Sequence, residues 1–177
     1  MHGVIKTFRL INSHPLTATN RLAAFRRWLS WQIASRLARN PIAVDFVDSS
    51  RLLVASGMTS ATGNIYTGLF EFEDMAFVLH YLREGDLFVD VGANVGVYTV
   101  LASAVVGAET VAIEPGRDAL RALADNIWLN GIDHKVAVHP VVAGRSSGKV
   151  RVPVDGEPPI TFSRTRRTIR RRNALSL

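Results

Sequence analysis

The sequence predicts an α/β fold built on a parallel sheet, and two observations predict it. An apolar segment at residues 87–91 runs into a turn with glycines at 92 and 96, and an apolar stretch with helical spacing follows. Strand-like and helix-like segments then alternate as far as residue 142. A βαβαβ series of this kind predicts a parallel, doubly wound sheet.

The N-terminal elements come first in the chain. Residues 1–16 show no clear period and are predicted to form a loose arm. A helix is predicted over 17–39 from the three- and four-residue spacing of Leu22, Phe25, Leu29, Ile33 and Leu37. We expect this stripe to dock on the core. A membrane-surface helix remains an alternative, because arginines together with Trp28 and Trp31 are typical of interfacial helices.

A β-hairpin and a helix follow before the sheet. Asn40-Pro41 ends the first helix, and the segments 42–47 and 51–56 flank a turn at 48–50. The Gly-, Ser- and Thr-rich stretch 57–68 is predicted to be a loop, and 72–82 a helix.

Strands and helices alternate in the next part of the chain. We predict a strand at 87–91, a helix at about 95–105, a strand at 110–114, a helix at about 117–129 and a strand at 135–142. Residues 149–154 predict a further short strand, paired in a hairpin.

The glycine turn and the strand after it predict a nucleoside-containing cofactor. Glu114 ends the second strand of the series, 18 residues after Gly96, where a carboxylate can accept hydrogen bonds from both hydroxyls of a ribose. A dinucleotide fingerprint requires small residues at its first, third and sixth positions. Those positions hold Gly92, Asn94 and Val97, so the glycine phase argues against NAD.

Three segments resemble one family. FVDVGANVGVYTVLA at 88–102, AIEP at 112–115 and NIWLNGI at 126–132 resemble the FkbM-type methyltransferases, which are class I S-adenosylmethionine (SAM) enzymes, and residues 63–86 are also similar. The resemblance covers roughly residues 40–155. It implies a Rossmann-like class I sheet, SAM as the cofactor, and O-methylation of a small molecule or sugar as the reaction.

The resemblance also implies a set of cofactor-binding residues, namely Asp90, Gly92, Ala93, Asn94, Gly96 and Glu114. Each role has a plainer alternative. Asp90 holds the methionine amino group or caps the helix start at 94–97, and Asn94 caps the helix or touches the cofactor. The two glycines admit the ligand or serve only the turn, and Glu114 grips the ribose or is a solvated strand-end acid.

Two further side chains, Glu71 and Tyr66, either close over the methionine end or lie at the surface. Asn126 and Asn130 are predicted to be structural. No catalytic residue can be nominated, and the five histidines show no metal-ligand spacing.

The resemblance implies an incomplete sheet, with strands 3-2-1 present. We predict an N-terminal arm and helix at 1–40, a hairpin and helix at 41–86, the N-terminal half of a SAM-binding domain at 87–160, and a disordered Arg-rich tail at 161–177. The abrupt change of composition at the tail predicts a truncated reading frame with impaired activity. An unpaired first strand then predicts low solubility or an edge-strand dimer.

Composition sets further bounds. The formal net charge is +6, and the tail alone holds six arginines and no acids, so residues 1–160 sum to zero. We therefore expect no specific nucleic-acid partner. There is no cysteine, and no apolar run is long enough to span a membrane, so a cytoplasmic location is expected.

Two rival functions remain open from the residues alone. One is an NAD- or nucleotide-sugar-binding Rossmann protein that uses the same ribose carboxylate. The other is a non-enzymatic binding module whose basic tail contacts RNA or lipid.

Overall fold

The computed structural model describes residues 2–145, 149–151 and 161–163. Its N-terminal half consists of α1 (His2–Ser13), a short 3-10 turn (Pro15–Thr17), α2 (Arg21–Leu37), the strands β1 (Ile42–Asp45) and β2 (Arg51–Val54), α3 (Thr59–Thr67) and α4 (Phe72–Tyr81). The second half contains β3 (Leu87–Val91), α5 (Val97–Val100) with a π-helical continuation (Leu101–Val106), β4 (Glu109–Ile113), α6 (Arg117–Leu129), β5 (Val136–His139), β6 (Lys149–Arg151) and β7 (Thr161–Ser163).

The main sheet has the predicted topology. β3 pairs with β4 in parallel, and β4 pairs with β5 in parallel, so the spatial order is β3-β4-β5. This order corresponds to strands 3-2-1 of the predicted sheet, and the predicted α/β class is confirmed. β3 is an edge strand within the part of the chain that the structure describes.

The hairpin of β1 and β2 was predicted, and a strand in a hairpin was predicted at 149–154, but its partner β7 was not. β1 pairs with β2, and β6 pairs with β7. β7 occupies the first three residues of the segment predicted to be a disordered tail, and residues 164–177 of that segment lie outside the described residues.

The sheet buries one face more than the other. On β3, Asp90 is buried on the face that packs against the helices, whereas Leu87, Val89 and Val91 on the opposite face are exposed by 50–66%. The valine side chains therefore lie on an uncovered face of the sheet, and the unpaired edge is formed by backbone groups. The hydrophobic core lies between the buried face and the helices.

The prediction that the leucine stripe of α2 docks on the core is wrong. Leu22, Leu29, Ile33 and Leu37 are all exposed, and α2 packs on the core through Ala24 and Trp31 instead. The leucine spacing identified the helix correctly. It did not identify the inward face, because apolar residues occupy two opposite faces of this helix.

Two segments predicted to be irregular are helical. Residues 2–13 form α1, and 59–67 form α3. The sequence of α3 has low helix propensity because it contains Thr, Asn and Gly63. Tertiary packing explains the helix: a Cβ on Gly63 would lie 2.3 Å from the ring of Phe70, and Ala61 and Thr67 are buried.

No helix within the described ranges combines the length and the apolar content that crossing a bilayer requires.

Candidate functional site

The loop between β3 and α5 is a tight turn with three left-handed residues. Gly92, Asn94 and Gly96 have φ angles of 81°, 50° and 86°. Glycine adopts these angles at little cost, whereas a residue with a Cβ rarely does. The backbone N–H groups of Gly92 and Ala93 both donate to the carbonyl of Ile113, at 2.8 and 3.1 Å, and so fix the turn to the end of β4.

The two glycines of the turn have different surroundings. A Cβ at Gly96 would lie 2.5 Å from Cδ1 of Leu123, so the missing side chain lets the turn pack on α6. A Cβ at Gly92 would meet nothing within 4 Å, and Gly92 is exposed. Open space for a ligand is therefore found at Gly92, while close packing accounts for Gly96.

Glu114 lies directly beside the turn. Its Oε2 accepts a hydrogen bond from the N–H of Asn94 at 2.9 Å, and its Oε1 accepts one from the N–H of Gly116 at 2.7 Å. The carboxylate is half-buried, so it is not the freely solvated acid of the plainer alternative. A carboxylate has about four lone-pair sites, so acceptor capacity remains for a ligand.

Asp90 is buried beneath the turn. Its Oδ2 accepts a hydrogen bond from Oγ1 of Thr99 at 2.6 Å, and the backbone N–H of Thr99 also donates to it. These hydrogen bonds anchor the first turn of α5. Asp90 therefore acts much as the helix-capping alternative predicted, but it binds Thr99 and not residues 94–97. Burial raises the pKa of the Asp90 carboxyl; the hydrogen bonds from Thr99 oppose the rise, and the Glu114 carboxylate adds to it.

A tyrosine that the sequence analysis missed lies next to the turn. The hydroxyl of Tyr98 donates to Oε2 of Glu71 at 2.8 Å, which joins the first turn of α5 to the start of α4. Burial raises the pKa of the Tyr98 phenol, and the Glu71 carboxylate raises it further. The signal in the sequence that could have identified Tyr98 is its position two residues after Gly96.

The other side chain of the predicted pair, Tyr66, lies elsewhere. It lines a cavity of about 640 Å³ together with Trp31 and Phe70, and its hydroxyl accepts from Nε2 of Gln32 at 3.3 Å. Of the two side chains proposed to close over the site, only Glu71 contacts the first turn of α5.

Asn126 supports the turn from the core. It is completely buried, its Nδ2 donates to the carbonyl of Val95 at 2.8 Å, and its Oδ1 accepts from the N–H of Leu53 at 2.6 Å. One helical turn later, Asn130 exchanges two hydrogen bonds with the backbone of Arg51, both at 2.8 Å. The two asparagines therefore hold β2 against α6 and fix the glycine turn at the same time.

The geometry brings four of the predicted residues together. Gly92, Ala93, Asn94 and Glu114 meet at the ends of β3 and β4, while Asp90 and Gly96 support the turn from inside. No group of three or more potential metal ligands occurs in the described ranges 2–145, 149–151 and 161–163. The site is suited to an organic ligand that lies on Gly92 and reaches Glu114.

Comparisons with known proteins give structural matches only. No model of a protein family matches the chain, and no curated protein matches it. Among solved structures, it is similar to Methanocaldococcus jannaschii Trm5 in complex with adenosine, with 22% identity and a TM-score of 0.42 over 60% of this chain and 30% of that one.

Two further structures are similar. The tRNA m1G37 methyltransferase of M. jannaschii matches with 22% identity and a TM-score of 0.43, over 56% of this chain and 28% of that one. The MTase domain of METTL16 matches with 15% identity and a TM-score of 0.36, over 66% and 42%. The chain thus spans less than a third of the two M. jannaschii proteins.

The comparisons correct one prediction. A small-molecule or sugar acceptor with no specific nucleic acid was expected, but the acceptor named for the matching M. jannaschii methyltransferase is a tRNA. That prediction is therefore wrong. The narrower FkbM-type assignment finds no match among the family models and remains a prediction from the motifs.

Proposed function

We propose that residues 87–116 form the SAM half-site of a SAM-dependent methyltransferase. The shape of the turn supports the proposal, because Gly92 leaves open space beside a carboxylate that backbone N–H groups of Asn94 and Gly116 hold in place. A ribose at this position would find an acceptor for its hydroxyls without reorganisation of the Glu114 side chain.

The charge around the turn is the observation that carries the choice of cofactor. Three carboxylates surround it: Glu114 at the end of β4, Asp90 below it, and Glu71 held by Tyr98. SAM carries a sulfonium, an ammonium and one carboxylate group, so its net charge is +1 and an acidic site attracts it. NAD would bring a doubly charged pyrophosphate towards the same acids, which is electrostatically unfavourable.

Each residue of the proposed site then has a defined role. Gly92 provides the open surface, and Glu114 accepts from the ribose hydroxyls. Asp90 holds the start of α5 through Thr99, and the Tyr98–Glu71 pair borders the turn on the α4 side. Bound SAM supplies an activated methyl group on its sulfonium, and the protein contributes position and charge for in-line transfer.

Removing the Glu114 carboxylate tests the assignment. Glu114→Ala should weaken SAM binding by about 1–3 kcal/mol, because the ribose hydroxyls lose their acceptor. Isothermal calorimetry on the full chain would measure this, at a temperature where circular dichroism shows the variant to be folded. Glu109→Ala is the matched control, since Glu109 is an exposed acid at the opposite end of the same strand. Unchanged affinity in Glu114→Ala would contradict the proposal.

A further inference from the structure

One face of α2 is apolar and exposed although the opposite face packs on the core. The exposed stripe consists of Leu22 (73%), Leu29 (54%), Ile33 (55%) and Leu37 (78%). At a rise of 1.5 Å per residue the 17-residue helix is about 25 Å long. Four large exposed side chains in one row on a single helix form a patch that is typical of an interaction surface.

The first helix extends this surface. The ring of Phe8 lies 4.7 Å from that of Phe25 and 5.5 Å from that of Trp28, so α1 packs along one flank of α2. Phe8 is itself 42% exposed, and Val4 and Ile5 on the same helix are 49% and 61% exposed. We call the exposed apolar residues of these two helices the α1–α2 surface.

The charge of this region has one sign. Residues 1–44 contain no Asp or Glu and seven basic residues, namely Lys6, Arg9, Arg21, Arg26, Arg27, Arg36 and Arg39. In helical projection, Arg26 lies within the row, between Leu22 and Leu29 along the helix, and Arg36 lies at one side of it. Within the described residues, the ion pair that the structure forms joins Arg121 to Asp118, so an acid neutralises none of these seven cations.

We propose that the α1–α2 surface docks on an anionic lipid bilayer, with α2 lying in the plane of the membrane. An exposed apolar row with Arg26 in it and Arg36 beside it, and with aromatic side chains alongside, has the composition of an interfacial helix. The leucines would enter the acyl boundary, while the arginine stems extend to keep their charge at the headgroups.

Other occupants fit the surface less well. A second copy of the chain would bring seven cations against seven, and the C-terminal segment 161–177 would add six arginines to the same charge. An RNA would satisfy the cations but would leave the row of leucines and Ile33 without a partner. Of these occupants, the anionic lipid surface is the one that satisfies both the charge and the apolar stripe.

Vesicle sedimentation tests the proposal on the full chain. The protein should bind vesicles of phosphatidylcholine with about 30% phosphatidylserine, bind pure phosphatidylcholine far less, and be released by salt. Leu29→Gln with Ile33→Gln should lower binding at least about tenfold. Arg21→Gln with Arg26→Gln should reduce the preference for phosphatidylserine, because two of the seven cations of residues 1–44 are removed.

The matched control is Phe77→Gln with Tyr81→Gln, because these stacked side chains of α4 are 62% and 66% exposed. Circular dichroism would verify that each variant is folded. The proposal is overturned if phosphatidylserine vesicles do not bind, or if the α4 control reduces binding as much as the α2 pair. It is also overturned if Leu29→Gln with Ile33→Gln abolishes a concentration-dependent dimer instead of vesicle binding. An RNA oligonucleotide that binds the wild type and this variant equally, and that displaces the vesicles, would overturn it as well.

Discussion

At the scale of single residues, Gly92 can be compared directly with Gly85. Both have a φ of 81°, and a Cβ at either would meet nothing within 4 Å. Alanine at either position therefore carries the same backbone strain, which we expect to cost about 1 kcal/mol or more of folding free energy. Only Gly92 lies in the turn beside Glu114.

We therefore predict that Gly92→Ala and Gly85→Ala lower the unfolding midpoint by similar amounts but differ in ligand binding. Gly92→Ala should weaken SAM binding at least about tenfold, because the new methyl group occupies the space of the cofactor. Urea unfolding and calorimetry on the two variants would measure both effects. An equal loss of affinity in Gly85→Ala would mean that strain, and not the site, controls binding.

Asp90 predicts a dependence of stability on pH. Since its pKa is raised in the folded state, the folded protein holds this proton more tightly than the unfolded chain does. The stabilising contribution is full below the ordinary aspartate pKa of about 3.9 and is lost as the pH rises through the raised value.

Asp90→Asn removes the titration but keeps an oxygen that can accept from Thr99. Between about pH 4 and pH 7, the stability of the wild type should fall relative to that of the variant. Urea unfolding of both proteins at several pH values checks this. Parallel stability profiles would contradict this, because they would show that folding does not raise the pKa of the Asp90 carboxyl.

At the scale of elements, the contacts of Asn126 join β2, α6 and the glycine turn. Asn126→Ala would leave the N–H of Leu53 and the carbonyl of Val95 without their partner in a buried setting. Each such loss costs about 1–3 kcal/mol, so we expect a total destabilisation of about 2–6 kcal/mol. Asn130→Ala is the control and should cost less, because its bonds to Arg51 are exposed. Equal losses in the two variants would contradict the special role of Asn126.

Elements with a strong local signal could be predicted from the sequence. α6 was predicted over its observed range, and β3 and β4 within one residue, because apolar periodicity and flanking turns define them locally. α3 could not be predicted, since its helix depends on the ring of Phe70 filling the space above Gly63. The inward face of α2 could not be predicted either, because Trp31 and Leu29 are both apolar on opposite faces.

At the scale of the whole molecule, the candidate site joins parts of the chain that are distant in sequence. The pattern at 90–96 and Glu114 was visible because it lies within one βαβ unit. Tyr98 bonds to Glu71, 27 residues earlier, and Asn126 bonds to Leu53, 73 residues earlier. Such contacts depend on how α4 and β2 pack, so no local pattern could show them.

We expect the acids around the glycine turn to select SAM, and a comparison of two cofactors tests this selection most directly. Calorimetric titration of the full chain with SAM and with NAD, at equal ionic strength, would give both dissociation constants. We predict that SAM binds at least about tenfold more tightly, a difference of about 1.4 kcal/mol, and that added salt reduces this preference. NAD binding as tightly as SAM, or more tightly, would contradict the assignment of the site.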